Sequence, residues 1–146
     1  MSTQISEDSK NLADKLHSSA IHLLRKLRRE DAASGLNAPR LSALSVVVFA
    51  GPVTLGDLAA AEQVRPPTMT RIVDALAEQG LVVKRKNARD GRSTLIHATA
   101  TGKKLLMQGR ERRVRALAAQ IGALGPDDLA ALGTATEILR KVIAAI

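Results

Sequence analysis

The sequence predicts a mainly α-helical fold with one small β-hairpin. Apolar residues recur at three- and four-residue intervals through most of the chain, the period of helices with one buried face. Residues 82–98 alone place β-leaning runs on either side of an Asp-Gly turn, a strong hairpin signal. Helix start and stop residues fall between the periodic stretches. With 146 residues, 45% apolar and 25% charged, the chain suits one globular domain, residues 1–146, with a real core.

The first stripe is Leu12, Leu16, Ala20, Leu24 and Leu27, which predicts a helix over about residues 6–31. A second helix starts near Pro39, a good first-turn residue, carries Leu41, Leu44, Val47 and Val48, and stops at "AGP", residues 50–52. Thr54 with Asp57 three residues on fits a capping box and opens a short helix. After a brief turn, "RPPTMTRIVDALAEQG" predicts a helix over about residues 67–79, with Gly80 as its stop signal. Two short helices joined by a few residues make a helix-turn-helix. The hairpin "VVKRK…TLIHA", about residues 82–98, follows directly and makes it a winged helix spanning residues 37–99. A helix capped by Thr99 or Thr101 should run to about Ile121, with Leu106, Val114, Leu117, Ile121 and Leu124 on one face. The last helix starts at Pro126, where Asp127 and Asp128 suit the positive end of the dipole. Its apolar set, Leu129, Leu132, Thr136, Leu139, Ile143 and Ile146, alternates gaps of three and four, a coiled-coil-like seam. The apolar stripes at residues 6–31 and 102–146 are too helical and too far from the centre to close one small core with it.

Charge locates the candidate site. The net charge is +8, and residues 65–104 hold nine basic and three acidic side chains. Clustered positive charge is the footprint of a polyanion. The chain has one Phe and no Tyr or Trp, so it lacks the rings that single-stranded nucleic acid stacks on. A duplex read through its grooves fits better.

On a helical wheel, Met69, Ile72, Val73 and Leu76 fall within about 100° of arc and form the core face. Pro67, Thr70, Arg71 and Asp74 lie opposite, with Thr68 on a flank. This face is small and polar enough to enter a major groove, where Arg71 can reach a guanine edge or a phosphate. The helix N-terminus should add backbone N–H donors for phosphate. Pro66 or Pro67 in the first turn loses no intrahelical hydrogen bond and fixes the angle of the helix. Arg89 or Arg92 at the hairpin tip can lie in a minor groove. Asp90 between them is expected to pair with an arginine or to cap the turn.

"LGDLAAAEQVRPPTMTRIVDALAEQGLV" and "RDGRSTLIHATATG", in that order and spacing, resemble the MarR family of bacterial transcription regulators. Asp90, Arg92, Thr99 and Gly102 match the family's wing pattern, and Ala98 departs from its usual Leu. The resemblance spans nearly the whole chain. It implies a homodimer joined through its first and last helices, a palindromic operator, and most often a repressor released by a small molecule. It also implies phosphate contacts from Arg40, Thr54, Lys84 and Lys86, and base contacts from Arg65, Pro67, Thr68 and Arg71. An aromatic or anionic effector would sit between the dimer helices and the DNA-binding lobe, with His17, Arg25, Val48 and Arg110 as candidates.

Other classes find little support. With no Cys, disulfides and thiolate chemistry are excluded. His17 and His22 stand about 140° apart on a helix and cannot share a metal, so no metal, cofactor or enzymatic activity is expected. "TGKK" lacks the glycine and hydroxyl of a phosphate loop. No apolar run reaches the ~18 residues of a membrane helix, and no secretory signal is visible, so the cytoplasm is expected. Two alternatives remain: a winged-helix protein-interaction module, and an architectural protein that binds any duplex.

Overall fold

The computed structural model describes residues 5–146. The chain runs α1 (Glu7–Leu27), a 3-10 segment (Arg28–Ser34), α2 (Ala38–Ala50), β1 (Val53–Thr54), α3 (Leu55–Ala61), α4 (Pro66–Glu78), β2 (Val82–Lys86), β3 (Thr94–Ala98), α5 (Ala100–Ile121) and α6 (Pro126–Ala144). Fold class and element order follow the sequence reading, and the hairpin strands lie where the β-leaning runs placed them.

Two features depart from it. The first helix changes to 3-10 geometry at Arg28 rather than continuing as α-helix to residue 31. The cause lies on α5. Arg112 Nε donates to the Glu30 carbonyl at 3.3 Å, and Arg113 pairs with Asp31. Ser34 Oγ closes the segment on the Asp31 carbonyl at 2.6 Å, and Gly35 leaves it with φ of 71°. The second departure is a third strand. β1 pairs antiparallel with β3 (Val53 with Ile96, Thr54 with Leu95), giving the order β1-β3-β2. Two residues are too short to show alternation in a sequence.

The core belongs to the helix-turn-helix and the sheet. Leu44 and Val47 of α2, Leu58 of α3, Met69, Val73 and Leu76 of α4, and Val82 and Ile96 of the sheet are buried together. Each such side chain contributes about 1.5–3 kcal/mol relative to exposure, so this cluster holds α4 in place. The arms lack this support: neither α1 nor α6 contains a buried residue. Leu12, Leu16, Leu129, Leu132, Ile138, Val142 and Ile143 all stay exposed.

One set of hydrogen bonds fixes how α4 leaves the core. Its C-terminus closes with Gly80 N–H to the Ala77 carbonyl and Leu81 N–H to the Leu76 carbonyl, both 2.9 Å, about Gly80 at φ 68°. This is a Schellman motif, and the positive φ suits glycine. Thr99 then clasps the same turn. Its Oγ1 donates to the Gly80 carbonyl at 2.6 Å and accepts from Gly102 N–H at 3.0 Å, while its own N–H donates to the Leu81 carbonyl at 3.1 Å. One residue thereby caps α5 and ties it to the end of α4.

Gly102 permits that closeness. A Cβ there would stand 2.1 Å from the Leu81 carbonyl oxygen and 3.3 Å from Leu44 Cδ1. Gly→Ala within a helix ordinarily gains about 0.5–1 kcal/mol, whereas a forced backbone shift costs about 1–3 kcal/mol. The clash is with backbone and wins. Gly102→Ala is expected to lower stability by about 1–2 kcal/mol in urea unfolding, and an unchanged or raised midpoint would contradict the clasp.

Candidate nucleic-acid interface

The outer face of α4 begins with a cap that has no capping side chain. Arg65 is the N-cap, in extended conformation, and makes no side-chain capping bond. The two prolines supply the reason. Helix starts leave backbone N–H groups unpaired, but Pro66 and Pro67 occupy the first two positions and have none. The next donor, Thr68 N–H, already bonds the Arg65 carbonyl at 3.0 Å. This corrects the expectation that the α4 N-terminus offers backbone donors to phosphate. Any anion contact here must come from side chains.

The angular reading of α4 holds in outline. Met69, Val73 and Leu76 are buried and Ile72 is half-buried, while Arg65, Pro67, Thr68 and Arg71 are exposed. Thr70 and Asp74 differ from the expectation. Both are half-covered, because the sheet packs against that flank of the helix. Thr70 Oγ1 donates to the Pro66 carbonyl at 3.0 Å and lies beside a small cavity shared with Val73, Lys84 and Ile96. Asp74 forms an ion pair with Lys84 of β2.

On the other side of α4, Arg40 stands in the first turn of α2, where Asn37 Oδ1 caps by accepting from Arg40 N–H at 3.1 Å. Asn37, Arg40, Thr68 and Arg71 line one open cleft of about 270 Å³ between α2 and α4. Residues far apart in sequence thus converge on one groove. Among the described residues neither arginine has a carboxylate partner.

The other expected contacts are more scattered. Thr54 caps α3, its Oγ1 accepting from Asp57 N–H at 3.1 Å; its hydroxyl proton is left to donate. Lys86 is exposed at the end of β2, opposite Thr94. Arg89 and Arg92 are exposed on the tip. The tip is more ordered than an Asp-Gly turn implies. Asn87 N–H donates to the Ser93 carbonyl at 2.9 Å, Asn87 Nδ2 to Ser93 Oγ at 3.1 Å, and Arg89 N–H to Asn87 Oδ1 at 3.1 Å. Of the two roles expected for Asp90, it takes the cap. Its Oδ1 accepts from Arg92 N–H at 2.9 Å. Hydrogen bonds, first from that N–H and then from the Ser93 side chain, hold its carboxyl below the usual range. Asn87 and Ser93 were not singled out in the sequence, although Asn and Ser flanking a turn are known to bond nearby backbone.

His17, Arg25 and Arg110 are exposed on α1 and α5, and Val48 packs half-buried against the lobe core. None of them lines two large clefts, one between α1, α5 and α6 and the other between α1 and α6. One cleft, about 520 Å³, is bounded by Leu16, Leu23, Leu117, Ile121 and Leu139; the other, about 410 Å³, by Leu12, Leu132, Ile138 and Val142. Among the described residues no single helix is long and apolar enough to cross a membrane.

Comparison with known proteins accords with this architecture. The model of the MarR family matches residues 36–94, the helix-turn-helix and most of the wing. The chain is 32% identical over 132 residues to an HTH-type transcriptional regulator of Mycobacterium tuberculosis, covering 90% of this chain and 92% of the relative. Its fold is similar to that of a MarR family protein from Bacillus stearothermophilus, with a TM-score of 0.77 at 20% identity over 97% of this chain and 99% of the other. It is also similar to a Staphylococcus aureus MepR mutant bound to an oligodeoxyribonucleotide, with a TM-score of 0.71 at 16% identity over 90% and 97%. With the relative matched along nearly its full length and the winged helix-turn-helix in place, the chain belongs to the MarR family of DNA-binding transcriptional regulators.

Proposed function

We propose that the chain acts in the cytoplasm as a homodimer that reads a palindromic operator, represses transcription there and is released by a small effector. The observation that carries the DNA-reading part is the cleft in which Arg40, Thr68 and Arg71 converge beside the exposed start of α4. A planar guanidinium matches both a phosphate and the O6/N7 edge of guanine. Arg71, on the helix, is the base reader. Arg65, Pro67 and Thr68 border the same base steps, with Thr70 at the edge. Arg40, Thr54 and Lys86 hold phosphate, and Arg89 and Arg92 reach the flanking minor groove. The fold shared with a MepR mutant bound to an oligodeoxyribonucleotide supports this reading.

The dimer reading rests on the exposed apolar side chains of α1 and α6. Contiguous apolar surface of this extent marks an interaction site. A second copy supplies equivalent surface under two-fold symmetry, and it places two copies of α4 for half-sites about one duplex turn apart. Repression and release follow family practice. An aromatic or anionic effector held near His17, Arg25, Val48 and Arg110 would act where α1 and α5 meet the lobe.

An operator selected from random duplexes, titrated against a scrambled duplex over a range of salt, tests the DNA-reading part. The operator should bind roughly 10³-fold tighter, and Arg71→Ala should cost about 1–3 kcal/mol on it and relax base preference. Equal affinity for both duplexes points to an architectural protein, and no affinity for either points to a protein-interaction module. Leu139 borders both apolar clefts, so Leu139→Asp is expected to yield monomers with weakened DNA binding. A wild-type sedimentation profile at micromolar concentration would refute the dimer. For the effector, calorimetric titration with small aromatic acids should show heat and a loss of operator affinity; absence of both across the panel counts against release.

A further inference from the structure

Lys84 and Asp74 stand where the wing meets α4, and their pairing does not suit a phosphate contact. Asp74 lies three residues after Arg71, close enough on the helix surface to pair with it. It pairs instead with Lys84 from β2. The two side chains keep 41% and 48% of their exposure, and a half-exposed pair of this kind adds at most about 1 kcal/mol of stability. Its main consequence is therefore the location of charge. Lys84 is held on the flank of α4, Asp74 is neutralised on a surface meant to meet a polyanion, and Arg71 has no carboxylate partner among the described residues.

We propose that Asp74 is a positioning residue that withholds Lys84 from the DNA backbone and so limits the sequence-independent affinity for duplex. The inference rests on α4 being the DNA-reading face. Sequence-independent affinity scales with the number of phosphates that cations neutralise, and each adds about 0.9 to the slope of log K against log salt. Removing one cation per protomer from that set lowers affinity for every duplex alike. Affinity that depends on Arg71 is untouched. The ratio between two duplexes is therefore unchanged, and what falls is the sequence-independent part of the affinity.

The test is the salt slope for a scrambled duplex, measured on the full chain with unfolding midpoints as a folding control. Asp74→Asn should bind that duplex more tightly and steepen the slope by about 0.9 for each protomer bound, with an equal gain on a selected operator. Lys84→Met should leave the wild-type slope unchanged. The double variant D74N/K84M should return to it, which separates release of Lys84 from simple loss of a negative charge. A flatter slope in Lys84→Met would show that Lys84 already neutralises phosphate, and would overturn the proposal. So would an unchanged slope in Asp74→Asn, or a double variant as steep as D74N. A wild-type chain with no salt-dependent duplex affinity would instead remove the DNA-reading face itself, and this inference with it.

Discussion

The hydroxyl of Thr99 ties the end of α4 to the start of α5. It donates to the Gly80 carbonyl at the end of α4 and accepts from Gly102 N–H at the start of α5. A hydroxyl can do both at once, and valine, its near isostere, can do neither. The approach also requires a residue without Cβ at position 102, where any side chain would meet the Leu81 backbone. The direction of α4 is therefore set at one end by the clasp and along its length by Met69, Val73 and Leu76 in the core. At the other end two prolines fix φ. A helix held in this way can present a short polar face without a rigid loop beneath it.

The electrostatics of that face are more selective than net charge implies. Six of the eight excess positive charges fall within residues 65–104, yet the groups in that span are not equivalent. Pro66 and Pro67 remove the backbone donors that make most helix starts attractive to any anion. Lys84 is engaged by Asp74, and the wing tip carries the Asp90 carboxylate, which caps its turn by accepting from Arg92 N–H. Among the described residues Arg40 and Arg71 have no carboxylate partner, and they share one cleft. Phosphate attraction is thereby concentrated in directional guanidinium groups rather than spread over the surface, which favours position-dependent over general binding.

Much of this was legible in the sequence, for identifiable reasons. The helix faces followed from periodicity, so the core set of α4 was recovered. The wing strands followed from two β-leaning runs around a turn. Gly80 and Thr99 are local punctuation, visible as such. What the sequence hid was contact across distance. Arg112 and Arg113 convert residues 28–34 to a 3-10 segment from more than eighty positions away, and β1 exists only because β3 lies beside it. Asp74 counted as exposed on a wheel, and its partner lies ten residues on in another element. The missing donors at α4 could have been read directly, since proline has no N–H; the general preference of anions for helix starts masked that. The effector candidates are the least legible part. They rest on placement between helices, and none of them lines the clefts that α1 forms with α5 and α6.

The central claim, that paired copies of α4 read two half-sites of one duplex, is tested most directly by hydroxyl-radical footprinting on an operator selected from random sequence. Two protected backbone patches are expected, symmetric about a dyad, with half-site centres about 10 base pairs apart and further minor-groove protection on the outer flanks where the wings lie. A single asymmetric patch, or protection spread evenly along the duplex, would contradict it.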